Sequence, residues 1–217
     1  MSIWSDPPQR HQALDRGAIV AAAVAIADES GAAAVTMKAV ADRLGGYTPM
    51  ALYRHVRNKT GLIDLMLDAA TAEIPLAPGD WRPALHRLAM ATRAMIKRHP
   101  WYAELVHTRP PAGPHQMAHL ELMLTALTAA GATLAEAMTH AAMITRHIYG
   151  SGLQEATEAR SEPAEQYTAM TEMRRLAEGD HPNLAAWLAH PSGPSPDDQF
   201  ELVLGFLLDG IATRLPS

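Results

Sequence analysis

The chain has 217 residues, no cysteine, 48% hydrophobic and 19% charged residues, and a formal net charge of −5. This excludes a disulfide framework and thiolate metal sites, and the overall negative charge argues against non-specific coating of nucleic acid. No apolar run reaches the roughly 18 residues of a membrane span and no leader pattern opens the chain, so the expected setting is cytoplasmic with no membrane partner.

Aromatic residues make up only 5% of the chain while alanine, leucine and methionine abound, a balance that favours helices over sheets. Residues 1–13 read as a disordered tail, with an arm lying along a nucleic-acid backbone as the alternative. Asp15 can cap a first helix, in which Ile19, Ala22, Ala23 and Ile26 keep helical spacing up to Gly31.

The most informative stretch is TMKAVADRLGGYTPMALYRHVRNK, Thr36 to Lys59. Thr36 can cap a short helix with Met37, Val40, Ala41 and Leu44 on one face. Gly45-Gly46 ends it. Thr48 caps a second helix, and Pro49 suits its first position because the missing N–H costs nothing there. Leu52 and Val56 sit one turn apart and point inward. Met50, Tyr53, Arg54 and Arg57 share the opposite face. Two aliphatic anchors beneath a stripe of Met, Tyr and Arg fit poorly as core and suit a helix that enters a major groove. Between Thr36 and Thr60 the cations are Lys38, Arg43, Arg54, Arg57 and Lys59, against Asp42 alone. Phosphate contact needs such a local excess, even on an acidic protein.

TMKAVADRLG followed by MALYRHVRNK resembles the DNA-binding head of TetR-type repressors, over roughly Leu14 to Ala70. The resemblance implies that Thr36 and Lys38 meet the phosphate backbone. It also implies that Tyr53 and His55 touch phosphate or base edges, and that Lys59 does so from the start of the next helix. Two departures stand out. The turn GGYTP is one residue longer than the usual form, which bears on how Tyr47, Thr48, Pro49 and Met50 register on the bases. Gly61 replaces a common acidic cap, implying a weaker start to the next helix.

That fourth helix, from Asn58 or Thr60 to about Ile74, is apolar on two sides: Leu62, Leu65, Met66 and Ala69, then Ile63, Leu67 and Ala70. It should be buried on both and act as a lever between domains. Pro75, Pro78 and Gly79 mark a boundary. Asp80 caps a fifth helix with Leu85, Leu88, Ala89, Thr92 and Ile96 inward. Pro100 breaks it, and RHPWYAEL weakly resembles the same family's ligand domain. His115–Ala130 reads as a helix with Met117, Leu120, Leu124 and Leu127 on one side. A long helix follows from Thr133 to about Arg160, loosened at Gly150-Ser151-Gly152. Pro163–Ala177 is a helix or an excursion. The last helix carries Phe200, Val203, Leu204, Leu207 and Ile211 on one stripe, and Leu202 and Phe206 on another. The first stripe is expected to pair with a second copy in a four-helix seam shared with the long helix; complete burial within one chain is the alternative.

Eleven histidines raise a metal site, and His115 and His119 are one turn apart. Gln116 stands where HExxH needs its glutamate, so no metal and no cofactor are expected. Neither GxxxxGK nor GxSxG is present, and no positive feature marks an enzyme. Met90, Trp101, Met117, Met143, His147 and Trp187 are the candidates for lining an effector pocket, since methionine adapts to irregular ligands; core packing is the alternative for each.

The expected protein is all-α. It has a three-helix helix-turn-helix head over residues 14–74, and a larger helical domain over 75–217 that dimerises and binds an apolar small-molecule effector. Its partners are a double-stranded operator, the effector and a second copy of itself. Its action is repression relieved by the effector. A ligand-independent DNA-binding protein controlled by partners, and a helical enzyme with a vestigial head, are the rival readings.

Overall fold

The computed structural model describes residues 14–108, 112–177 and 180–216; the tail expected over 1–13 lies outside them. The described residues form α1 (Arg16–Ser30), α2 (Met37–Arg43), α3 (Pro49–Val56), α4 (Lys59–Thr71), α5 (Trp81–Arg98) and α6 (Trp101–Val106). After these come α7 (Pro114–Ala129), α8 (Leu134–Glu158), α9 (Pro163–Ala177), α10 (Pro182–Ala189) and α11 (Pro196–Ala212). No strand occurs among the described residues, and no helix there is long and apolar enough to cross a membrane.

Two compact units are present: residues 1–74 with 98–118, and residues 75–97 with 119–217. By contact, the segment 98–118 folds with the N-terminal helices.

In the first unit, side-chain caps set where helices begin. Asp15 accepts the Ala18 N–H at 2.7 Å, Thr36 the Ala39 N–H at 3.0 Å, and Asn58 the Gly61 N–H at 2.7 Å. Each satisfies a donor that the helix itself cannot. Gly31, Gly45 and Gly46 close α1 and α2 at φ of 80°, 96° and 85°, a region that L side chains rarely adopt. Gly61 is present for a different reason: a Cβ there would collide with the Val56 carbonyl. A larger residue has no room there, and the helix start is capped by Asn58, which accepts the Gly61 N–H.

The core of this unit gathers Ile19, Ala23, Val40, Leu52, Leu62 and Met66, all buried, with Trp101 and Tyr102 from α6. The Trp101 indole N–H donates to Asp28 Oδ1 at 2.6 Å. His99 lies between two carboxylates, with Nδ1 2.7 Å from Asp28 and Nε2 3.1 Å from Glu73. Burial works against ionisation of the Glu73 carboxyl, but hydrogen bonds from Arg98 and His99 outweigh it and hold its pKa below the usual value. A carboxyl lowered in this way adds stability above its ordinary pKa and loses it as pH falls through the lowered one. Asp197 is lowered too, by hydrogen bonds from Lys97 and then Arg93. Unfolding midpoints should therefore stay level from neutral pH down to about pH 5 and drop below about pH 4. A midpoint that rose on acidification would contradict this.

Asp68 of α4 caps α7. Its Oδ1 accepts the N–H groups of His115 (2.8 Å) and Gln116 (3.2 Å), and its Oδ2 meets His115 Nδ1 at 2.9 Å. The chain passes close by at Gly113, where a Cβ would strike this carboxylate. Asp68→Ala leaves those helix N–H groups unpaired and should cost about 2–4 kcal/mol in chemical denaturation, with Asp68→Asn recovering part of it. A change within about 0.5 kcal/mol, the range of an ordinary surface substitution, would rule out the capping role.

In the second unit a buried guanidinium joins three helices. Arg93 of α5 donates to Glu155 of α8 at 2.6 Å, to Asp197 of α11 at 2.8 Å and to the Pro196 carbonyl at 3.2 Å. It lies 4.3 Å from the centre of the Phe200 ring, and His147 stacks on that ring at 4.5 Å. The long helix α8 opens with a capping box between Thr133 and Glu136 and runs unbroken through Gly150-Ser151-Gly152.

Candidate nucleic-acid interface

The helix α3 is held at both ends and along one side. At its start Thr48 accepts the Ala51 N–H at 3.3 Å, with Pro49 in the first turn. At its end the Arg57 N–H returns to the Tyr53 carbonyl at 2.9 Å, with Arg57 at φ 63°. Arg16 of α1 adds a clamp, donating from Nε to the His55 carbonyl at 3.2 Å. Beneath, Leu52 and Val56 are buried. Each contributes roughly 1.5–3 kcal/mol, so the helix cannot roll without losing both anchors.

Rolling is what this anchoring prevents, and it fixes which side chains face outward. Thr48, Pro49, Met50, Tyr53 and Arg54 are exposed, and Tyr47 and His55 are half-buried. Thr36, Lys38 and Lys59 are exposed on the flanking helix starts. The Thr36 and Thr48 hydroxyls already cap helices, so each offers only its own O–H as donor to a phosphate.

Charge is distributed less simply than the stretch 36–60 suggests. Arg43 is taken by Glu29 of α1, a partner outside that stretch. The hydrogen bond from Arg43 holds the exposed Glu29 carboxyl below its usual pKa. Among the described residues no carboxylate pairs with Lys38, Arg54, Arg57 or Lys59. Four exposed cations are thus left for an anionic partner.

The residues nominated for an effector pocket are divided between the two units. Trp101 and Met117 belong to the first unit; Met90, Met143, His147 and Trp187 belong to the second. Trp101 is core, bonded to Asp28. Met117 is exposed because Gln116, its neighbour, takes the inward position on α7. Met143 and Trp187 are also exposed, and Met90 is half-buried. Of the six, His147 alone lines the cleft of about 290 Å³ between α8 and α11, with Ser151, Gln154, Gln199 and Val203 among its neighbours.

The stripe expected to pair two copies is partly covered within its own chain. Phe200, Leu204 and Ile211 are buried in their own chain, and Val203 and Leu207 are half-buried. On that side of α11 Phe200 packs against both Arg93 and His147. The outward apolar residues of α11 are Leu202 and Phe206, 50% and 62% exposed. On α8, Leu134 and Met138 are exposed as well.

A short helix capped at its start, anchored by two aliphatic side chains and showing Tyr, Arg and Met outward beside free cations is the recognition element of a helix-turn-helix DNA-binding regulator. Comparison with known proteins makes this more specific. The model of bacterial regulatory proteins of the tetR family matches residues 19–66, and that of the tetracyclin repressor-like C-terminal domain matches residues 74–215. The chain belongs to the tetR family and is a DNA-binding transcriptional regulator.

It is 36% identical to the HTH-type transcriptional repressor DrrR1 of Streptomyces coeruleorubidus, over 94% of this chain and 78% of the relative. It is 32% identical to an HTH-type transcriptional regulator of Saccharopolyspora erythraea, over 87% and 86%. Its fold is that of the Streptomyces coelicolor TetR family protein ActR in complex with (S)-DNPA, at a TM-score of 0.80 and 24% identity, covering 94% and 99% of the two chains.

Proposed function

We propose that this regulator is a repressor that binds a palindromic operator as a homodimer and leaves it when the second unit binds a small molecule. The observation that carries the DNA half is the fixed outward face of α3, with Tyr53 and Arg54 exposed above buried Leu52 and Val56. In this reading Tyr53, Arg54 and Met50 reach base edges, with Tyr47, Thr48, Pro49 and His55 around them. Thr36, Lys38 and Lys59 hold phosphates. Repression is favoured by the likeness to DrrR1, itself a repressor.

Dimerisation is assigned to the outer faces of α8 and α11, through Leu134, Met138, Leu202 and Phe206. Exposed large apolar side chains on adjoining helices find a partner at low cost in a second copy of themselves. The effector role falls to the second unit, where His147 lines a cleft beside α11. ActR, which shares the fold, has been crystallised with (S)-DNPA. A ligand with differential affinity for two conformations of the regulator would shift operator affinity by that difference and no more.

Selection of duplexes from a randomised library with purified protein tests the reading. It should return an inverted repeat whose half-sites are centred about 34–36 Å apart, one helical turn. A single unrepeated site would overturn the twofold geometry, and recovery of no duplex would overturn operator binding.

A further inference from the structure

We infer that Met50 reads a methyl group, so that each operator half-site carries a thymine whose C5 methyl packs against the Met50 side chain. The inference rests on α3 entering the major groove, as proposed above. On the leading turn of α3, Pro49 and Met50 are both exposed, and Met50 leaves 68% of its surface in water against 37% for Tyr53. Met50 lies two residues from the buried anchor Leu52, about 200° around the helix, so it faces directly away from the core.

Neither side chain offers a hydrogen-bond donor, and Pro49 lacks a backbone N–H as well. The hydrogen-bonding groups on this face stand elsewhere, at Thr48, Tyr53 and Arg54. Base edges in the major groove present donors and acceptors, with one apolar feature among them, the thymine methyl. An apolar side chain pressed against a donor or acceptor strips its water and returns nothing. Against a methyl it gains contact, and a thioether adjusts easily to the spot. The Pro49-Met50 edge therefore discriminates for thymine by fit and against the other bases by desolvation.

The probe is a duplex recovered by selection from a randomised library, synthesised again with each thymine replaced singly by deoxyuridine, which removes only the methyl. Affinity is measured for the wild type, Met50→Ala and Met50→Leu. For the wild type, uracil at one symmetric position should weaken binding about fourfold per half-site, or about fifteenfold when both are changed. Met50→Ala should bind the thymine duplex more weakly and lose little or nothing further with uracil. Met50→Leu, which keeps an apolar side chain, should retain part of the discrimination.

Equal wild-type affinity for thymine and uracil at every position overturns the inference while leaving operator binding intact. So does a uracil penalty that persists undiminished in Met50→Ala. Failure to select any duplex overturns operator binding, and this inference with it. Met50 is a surface residue, so its replacement should leave the melting temperature unchanged, and a matched melt accompanies each variant.

Discussion

Arg54→Ala should weaken operator binding by about 1–3 kcal/mol at each half-site, and by up to twice that for the dimer, without changing the fold. The side chain is exposed and no carboxylate holds it among the described residues, so its loss removes nothing from the core. A guanidinium is the side chain best shaped for the two acceptors of a guanine edge, so the penalty should depend on sequence: severe on the selected operator and slight on unrelated DNA. Lys59→Ala is the contrast. Taking away an ammonium that pairs with a phosphate should weaken all sequences alike and reduce the salt slope by about one charge per subunit. Fluorescence anisotropy titrations at three salt concentrations separate the two. If Arg54→Ala bound the selected operator as tightly as the wild type, Arg54 would not be a base-reading residue.

The second large effect concerns the outer face of α11. The pair Leu202→Glu and Phe206→Glu should leave a folded chain that sediments as a monomer. Both positions are already half exposed or more, so each substitution costs the single chain little. In the proposed seam the same charges face their own symmetry mates, and burying an unpaired carboxylate costs several kcal/mol. Operator affinity should then fall about 100-fold or more, because the second recognition helix is no longer delivered by the first. Phe200→Glu should behave differently: it removes a buried ring that packs against Arg93 and His147 and should destabilise the unit. A double variant that remained dimeric at micromolar concentration would move the seam elsewhere.

The contrast between these two α11 positions marks the limit of what the sequence discloses. For α3 the signals that say which side faces outward are local. Thr48, Pro49 and the pair Leu52 and Val56 lie within one short helix, and helical periodicity alone says which side is in. For α11 periodicity finds two apolar stripes and cannot rank them. The ranking is made by Arg93, which lies more than a hundred residues earlier and whose buried position on α5 is set by long-range pairing with Glu155 and Asp197. The capping role of Asp68 is hidden for the same reason, because its partners are at the start of α7. Side-chain type alone nominates the pocket residues, and type does not distinguish a ligand contact from a core position such as Trp101. Glu29 likewise withdraws Arg43 from the free cations from outside the basic stretch itself.

One arrangement limits how this protein can be recombined. The first unit is completed by residues 98–118, which supply His99 and Trp101 to Asp28, Tyr102 to Thr71, and the α7 start to Asp68. A reader module cut out at residue 74 would carry Asp28, Asp68 and Glu73 stripped of their counterparts. Grafting a foreign reader onto this chassis would likewise set a stranger's acids against this chain's own indole and imidazole. Transplanted operator specificity should therefore travel with two separated stretches of gene, and chimeras built with a single crossover should be the ones that fail to express.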